Sequence, residues 1–374
     1  MKKLLLVINE DRFFLSHRTR IAEKAAEEGW DVTLVVKDTG KAKEIERMGF
    51  KVIPLPVNPT GMNIREEMKT LRFLYSLYRR NPDAIIHQVG LKNMLWGGIA
   101  SRLATTKGVV YAVSGLGTLF GEHTSGILSK VLLRILRFGL SKRNVAVIFQ
   151  NHDDEREFVD SGAVRGKHFF FIKGSGVDLK EFEYCAEPDV KPLKIVFTGR
   201  MLEEKGVKDL VKAAEILRKD YEGKIEFLLC GGLSTNPSAL SEEDMHAMAD
   251  GRYIKWLGHR DDVCDILRQS AIMCFPSYYR EGVPKSLLEA SAIGRPIVTT
   301  DSIGCRDTVE DGINGFLVPT HSPESIASAL RKLIDDSELR RRMGEESRKI
   351  AERDYDVEKV AATHLKIYEF LLNH

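Results

Sequence analysis

The sequence predicts an α/β protein of two facing, doubly wound, parallel-sheet domains of Rossmann-like type with an interdomain cleft. Three observations carry that expectation. Short β-branched runs alternate with longer helical patterns from end to end, the rhythm of right-handed parallel crossovers. The alternation breaks once, over 181–192, where mixed charge, two prolines and no periodicity mark a linker. A length of 374 residues is enough for two domains of ordinary size, each with its own core.

In the first domain, 1–184, strands are expected at 4–8, 32–36, 51–54, 84–88, 109–112, 146–149 and 169–172. Amphipathic helical stretches fall at 18–28 and 64–80. The second domain, 185–356, restarts with strands at 195–198, 225–230, 254–257, 272–275 and 297–299. An arginine-rich helix at 338–353 precedes a final helix from 357, which can pack on either domain, including back on the first. In such sheets ligands sit at the carboxyl ends of the strands, where the topology switches.

Composition excludes several classes. With 43% hydrophobic and 29% charged residues the chain reads as globular, not disordered. A net charge of +2 argues against nucleic acid as the main partner. No apolar run approaches the roughly 18 residues of a membrane-spanning helix. The opening Met1–Leu6 has the look of a signal peptide, but Asn9-Glu10-Asp11-Arg12 cuts the apolar stretch short and no small-residue cleavage site follows. It reads as a first buried strand. Five scattered cysteines, never in a Cys-x-x-Cys pair, suit neither a disulfide framework nor zinc, and imply reduced cytoplasmic thiols.

The densest chemistry lies at 275–290. An apolar strand ends at Pro276, a tight loop carries Gly282 and Pro284, and Ser286-Leu287-Leu288-Glu289-Ala290 starts a helix. A helix start beyond a strand end offers N–H groups and a positive dipole end to an anion. An ordinary strand-to-helix turn is the competing reading. Glu281, in the loop, and Glu289, eight positions later, are carboxylates able to accept from vicinal hydroxyls. Solvated surface glutamates would look the same.

A second constellation is Gly199-Arg200-Met201-Leu202-Glu203-Glu204-Lys205-Gly206, straight after the first strand of the second domain. Arg200 and Lys205 would neutralise a diphosphate, the guanidinium offering a bidentate fork. Among 56 lysines and arginines, their position gives them weight. Gly231-Gly232 and Gly258-His259-Arg260 end the next two strands and would let a base or phosphate approach the backbone. His259 reads equally as a structural histidine.

Together these motifs resemble the retaining glycosyltransferases of family 4. The Glu-x7-Glu signature is matched by Glu281 and Glu289, and the Gly-Arg…Lys-Gly loop by Gly199, Arg200, Lys205 and Gly206. Asp301–Asp307 and Gly312–Val318 extend the match. Phe13-Phe14-Leu15-Ser16-His17-Arg18, Ser114-Gly115-Leu116-Gly117 and Asn236-Pro237-Ser238 are similar to a bacterial capsule, O-antigen and N-glycan subgroup.

The resemblance implies a GT-B fold and metal-independent transfer, with retention, of a hexose or N-acetylhexosamine. The donor would be a nucleotide sugar, UDP-linked, with no cofactor. The acceptor would be a polyprenyl-diphosphate-linked saccharide. Carried over, Glu281 contacts the donor sugar, Glu289 the ribose, and Arg200 and Lys205 the diphosphate. Amides near Gly282, Val283, Pro284, Ser286 and Leu287 help hold it, and Gly231, Gly258, His259 and Arg260 line the base. Ser16, His17, Arg18, Gly115 and Gly117 fall on the acceptor side. Asn9–Phe14 replaces the family's glycine-rich turn, and Arg20 stands where proline is frequent. Ser114–Gly117 supplies no histidine near the sugar, so His17 takes that catalytic place.

Between Glu122 and Asp153 no acidic residue occurs. Lys130, Arg134 and Arg137 share one helical stripe there, with Leu128, Val131, Leu132 and Ile135 expected opposite. A basic amphipathic helix can lie on an anionic bilayer. The expected location is therefore cytoplasmic and peripheral on the inner face of the bacterial membrane. A core-facing helix with a solvated face is the plainer reading. Two rivals on the same fold are a nucleotide-sugar 2-epimerase and a catalytically silent nucleotide-sugar-binding subunit.

Overall fold

Runs of Val, Ile, Leu and Phe four to nine residues long, apolar on both sides, can only be satisfied in sheets covered on both faces. The chain builds two of them, both parallel. The computed structural model describes residues 1–58, 63–115, 127–162, 168–234, 236 and 238–373. They divide into Met1–Ser175 with Val357–His374, and Gly176–Asp356.

The first unit runs β1 (Lys2–Glu10), α1 (Asp11–His17), α2 (Thr19–Glu27), β2 (Trp30–Lys37), α3 (Ala42–Arg47), β3 (Lys51–Pro54), α4 (Ile64–Arg79), β4 (Ala84–Val89) and α5 (Leu91–Leu103). It continues with β5 (Gly108–Val113), α6 (Ile127–Leu140), β6 (Val145–Phe149), α7 (His152–Asp160) and β7 (His168–Phe171). The second unit runs β8 (Leu193–Thr198), α8 (Val207–Tyr221), β9 (Ile225–Cys230), α9 (Glu242–Met248), β10 (Ile254–Gly258), α10 (Val263–Arg268), β11 (Ile272–Phe275) and α11 (Lys285–Ile293). β12 (Ile297–Thr300), β13 (Gly315–Val318), α12 (Pro323–Asp335) and α13 (Ser337–Ile350) follow, and α14 (Val357–Asn373) ends the chain.

The strand orders are β3-β2-β1-β4-β5-β6-β7 and β10-β9-β8-β11-β12-β13. Each sheet winds outward from its first strand, reverses, and winds the other way. The switch points are therefore β1/β4 and β8/β11, where ligand clefts form in doubly wound sheets.

Two elements differ from the sequence reading. The segment after β1 is helical, and β13 adds a sixth strand to the second sheet. Four residues beginning with glycine carry too little pattern to signal a strand.

Helix α14 covers the first sheet. Its Val360, Ala361, Leu365, Ile367, Tyr368 and Leu371 join the core with residues of β1, β2, β4 and α2. Lys2 and Arg20 pair with Glu369 and Glu358 along its flanks. The stretch 181–192 lies against the second unit. Phe182 enters its core, and the Cys185 amide donates to the Ile293 carbonyl at 3.1 Å.

Arg295, 1% exposed, secures that stretch. Its guanidinium donates to the carbonyls of Cys185 (2.8 Å), Leu267 (3.0 Å), Arg268 (3.2 Å) and Ala186 (3.5 Å). Removing it takes this donor from four carbonyls, that of Leu267 buried and the others at least partly so. Arg295→Met should thus lower stability by on the order of 3 kcal/mol in a urea titration. A change under about 1 kcal/mol would show that the clamp is dispensable.

Candidate functional site

The second unit's site forms where β8 and β11 part. Beyond Thr198 the chain stays beside the end of β9: the Gly199 amide donates to Cys230 O (2.9 Å) and the Met201 amide to Gly232 O (3.1 Å). A short 3-10 turn, Glu203–Lys205, follows, and Gly206 closes it with φ +76°. A β-carbon at Gly206 would lie 2.0 Å from the Pro276 carbonyl oxygen, so only glycine allows the two loops to meet.

The Glu204 carbonyl then accepts from the Tyr278 and Tyr279 amides, both at 2.9 Å, and from Ser277 Oγ at 3.2 Å. From the other side, Ser286 Oγ in the first turn of α11 donates to Thr198 O at 2.8 Å. The two sequence constellations are thereby brought together. Lys205, only 8% exposed, pairs its ammonium with the Glu281 carboxylate. That ammonium also lies 5.1 Å from the Phe275 ring centroid and 5.6 Å from that of Tyr279. Ser277 Oγ reaches Glu281 Oε1 at 3.5 Å. Arg200 is exposed beside Tyr279, whose phenol is pushed up by burial and by Glu281 and drawn down by Arg200.

A third loop supports the second. Ser302 Oγ donates to the Ser277 carbonyl at 2.8 Å, and Thr300 Oγ1 donates to it as well. Gly304, at φ +82°, passes so close that a β-carbon would lie 2.1 Å from Gly282 O. The Asp301–Asp307 segment is therefore a brace for the Glu281 loop, a role its local sequence does not display.

Pro284 caps α11 without a side-chain hydrogen bond. Gly282, Val283, Pro284 and Leu287 are buried, and Ser286 is half-buried. One turn into α11, burial and then nearby Glu181 push the Glu289 carboxyl up to about 7, against the pull of Lys285 at 3.7 Å. Glu289 also borders the end of β9. There the Cys230 thiol is pushed up to about 11 by burial and by Asp262, opposed by Arg260, with Glu289 adding to the rise. Gly231 accepts from Trp256 Nε1 at 2.9 Å and donates to Gly258 O at 2.8 Å. Arg260 pairs with Asp262 at 2.7 Å, and exposed His259 approaches Asp261 at 3.4 Å.

In the first unit, α1 carries Phe13, Ser16 and His17 past the end of β1. The rings of Phe13 and His17 stack at 4.3 Å, and Ser16 Oγ meets His17 Nδ1 at 2.6 Å. Arg18 turns the other way and is 2% exposed. Gly115 follows β5, whereas Gly117 lies outside the described residues. A cavity of about 180 Å³ opens at the ends of β1, β4 and β5, lined by Ile8, Asn9, Glu10, Phe13, Val89, Gly90 and Ser114. Sequence reasoning quotes Ser114 in a motif and sets Asn9–Phe14 in place of the glycine-rich turn, but assigns none of Asn9, Glu10, Gly90 and Ser114 to the site. The signal was there, in the polar residues and glycine that close two buried strands.

Along α6, Lys130, Arg134 and Arg137 are exposed and Leu132 is buried. Val131 corrects the expected partition: it faces outward between Lys130 and Arg134, as does Phe138. Arg137 is tied to the Ser161 carbonyl.

The comparisons agree with this architecture. A family model described as glycosyl transferases group 1 matches residues 185–350, and one described as glycosyl transferase 4-like matches 3–151. The chain is 24% identical to a Campylobacter jejuni N,N'-diacetylbacillosaminyl-diphospho-undecaprenol alpha-1,3-N-acetylgalactosaminyltransferase, over 92% of each chain. It is 25% identical to an Escherichia coli UDP-Gal:alpha-D-GlcNAc-diphosphoundecaprenol alpha-1,3-galactosyltransferase, over 83% of this chain and 82% of that one. Among solved structures, a sucrose-phosphate synthase from Thermosynechococcus elongatus matches with a TM-score of 0.80 at 18% identity, over 100% of both chains. HepE of Anabaena in complex with UDP matches at 0.77 and 19% identity, over 98% of this chain and 99% of that one. The two sheets, their matching strand orders and the two family matches make this chain a glycosyltransferase of GT-B fold, whose second part matches the group 1 transferases and whose first part is glycosyl transferase 4-like.

Proposed function

We propose that the enzyme transfers a hexose or N-acetylhexosamine, with retention, from a UDP-linked sugar to a polyprenyl-diphosphate-linked saccharide in bacterial surface-glycan assembly. The donor half rests on one observation: Lys205, Glu281, Arg200 and the amino end of α11 converge on the β8/β11 switch point. Solved HepE complexes with UDP and with UDP-glucose support the choice of donor. Relatives whose names specify undecaprenyl-diphosphate-linked acceptors support the acceptor class.

On this reading Arg200 and Lys205 carry the diphosphate, with the first-turn amides of α11 facing the phosphates and sugar. Glu281 takes donor-sugar hydroxyls and Glu289 the ribose. Gly231, Gly258, His259 and Arg260 surround the base. The transition state is oxocarbenium-like, and its leaving group gathers negative charge. A lysine held among two aromatic rings in a shielded pocket stabilises that charge far better than one in water. Ser16, His17 and Gly115 form the acceptor side with the cavity at the end of the first sheet. Enclosed Arg18 is left out.

Lys205→Ala and Arg200→Ala should each lower kcat by about 10²–10³ in a radiolabelled transfer assay. Near-normal turnover in both would sink the donor assignment.

The Glu289 carboxyl, pushed up to about 7, yields a pH signature. Only the ionised form accepts from both ribose hydroxyls, so binding competence is present above that pKa and lost as pH falls through it. Donor kcat/KM should fall by up to about tenfold per pH unit below 7. Glu289→Gln should flatten that limb, and an unchanged limb in the variant would reassign the titration.

The outward Lys130, Val131, Arg134 and Phe138 support α6 as the membrane-facing surface. Purified protein should float with anionic vesicles and not with neutral ones. The double variant Lys130→Glu/Arg134→Glu should stay at the bottom of the gradient. Equal flotation of the variant would remove α6 from the interface.

A further inference from the structure

The Ser16-His17-Arg18 motif divides in the structure: Ser16 and His17 stay at the rim while Arg18 enters the core. There it meets two histidines and a tyrosine from distant parts of the chain. His87 stands inside β4, and His364 and Tyr368 are one turn apart on α14. All four side chains are at most 2% exposed. The imidazoles of His87 and His364 stack at 5.5 Å, and His87 Nδ1 lies 2.7 Å from Tyr368 Oη. The second imidazole donates its Nδ1–H to the Val360 carbonyl at 2.8 Å.

Charge makes this cluster unusual. Burial lowers the Arg18 guanidinium only to about 10, so it stays cationic at neutral pH. Burial, with Arg18 nearby, holds His87 well below its ordinary value and His364 at about 3, so both rings are neutral. The cluster carries one positive charge, and no carboxylate acts on any of its four members among the described residues. Arg18 Nε and Nη1 and His87 Nε2 are enclosed and have no hydrogen-bond partner among those residues.

A buried guanidinium left that way costs several kcal/mol. The same protein shows how it satisfies other buried arginines. Arg295 donates to four carbonyls, and Arg340 to the Leu333 and Ile334 carbonyls and the Glu187 carboxylate. Among the described residues Arg18 has neither kind of partner.

We infer that Arg18 and His87 form an internal binding site for a small monovalent inorganic anion of chloride type, roofed by His364 and Tyr368. One positive charge and three enclosed, unpartnered donors match one negative charge without hydrogens of its own. A bound anion would join the α1–α2 corner, β4 and α14, which come from opposite ends of the sequence. It acts as a structural ion of the first unit, apart from the transfer chemistry.

The test uses the full-length chain at constant ionic strength, with sodium gluconate replaced stepwise by sodium chloride. The thermal midpoint should rise saturably by about 2–5 °C, because an ion binding only the folded state stabilises it by mass action. Arg18→Met should abolish the rise. Crystals grown in bromide should show an anomalous peak within hydrogen-bond reach of Arg18 Nε and His87 Nε2. An identical midpoint in gluconate and chloride, an unchanged chloride response in Arg18→Met, or a bromide map without that peak would each overturn the site. The wild-type midpoint and the bromide map keep the test decisive if the variant does not fold.

Discussion

One carbonyl oxygen, that of Glu204, holds the second unit's site together. Three donors from Ser277–Tyr279 converge on it, and they fix the loop after β8 against the loop after β11. Gly206 makes the approach sterically possible, and Gly304 and Ser302 press the second loop from behind. None of these groups need touch a ligand. They decide whether Lys205 and Glu281, 76 residues apart, can meet at all. An ion pair this shielded recovers its desolvation cost only when both partners are held in good geometry. The backbone contacts supply that geometry before any substrate arrives.

The two carboxylates of the Glu-x7-Glu signature then acquire different characters. Glu281 faces an ammonium and a hydroxyl. Glu289 lies in a shielded position where Lys285 does not offset burial and Glu181. Environments that separate two like groups are how a fold gives one residue type two tasks. On the proposed reading, an arriving diphosphate competes with Glu281 for Lys205. Donor binding would then release a carboxylate beside the transferred sugar. Glu289 instead meets neutral hydroxyls, and on the same reading its burial sets the pH below which it ceases to accept from both of them.

Much of this was legible in the sequence, because the second unit's site is written in two short segments at strand ends. Apolar runs fixed the strands to within a residue or two, and the two cations and Glu281 stood in the loops that follow β8 and β11, with Glu289 just inside α11. What stayed hidden depends on approach between distant backbones. Gly304 is one glycine among 30 until the Gly282 carbonyl is seen beside it. β13 is four residues long and begins with glycine, so its pairing with β12 carries a strand that its composition does not. Val131 was assigned inward from helical period alone. Period orders residues around a helix but does not say where the apolar arc ends, and the packing of α6 places that edge beyond Val131.

The first unit was harder to read for a related reason. Its cavity takes one or two residues from each of three strand ends, Asn9 and Glu10 from β1, Gly90 after β4 and Ser114 after β5, so no segment carries a motif dense enough to stand out. Its core hides a sharper case. Arg18 and Arg295 are both nearly inaccessible, and nothing local distinguishes them. Arg295 faces carbonyls at the end of α10 and at Cys185–Ala186, so backbone acceptors satisfy its donors. Arg18 faces imidazole and phenol rings, which offer no negative charge at neutral pH. A sequence shows that an arginine is present; only the fold shows whether its surroundings supply acceptors.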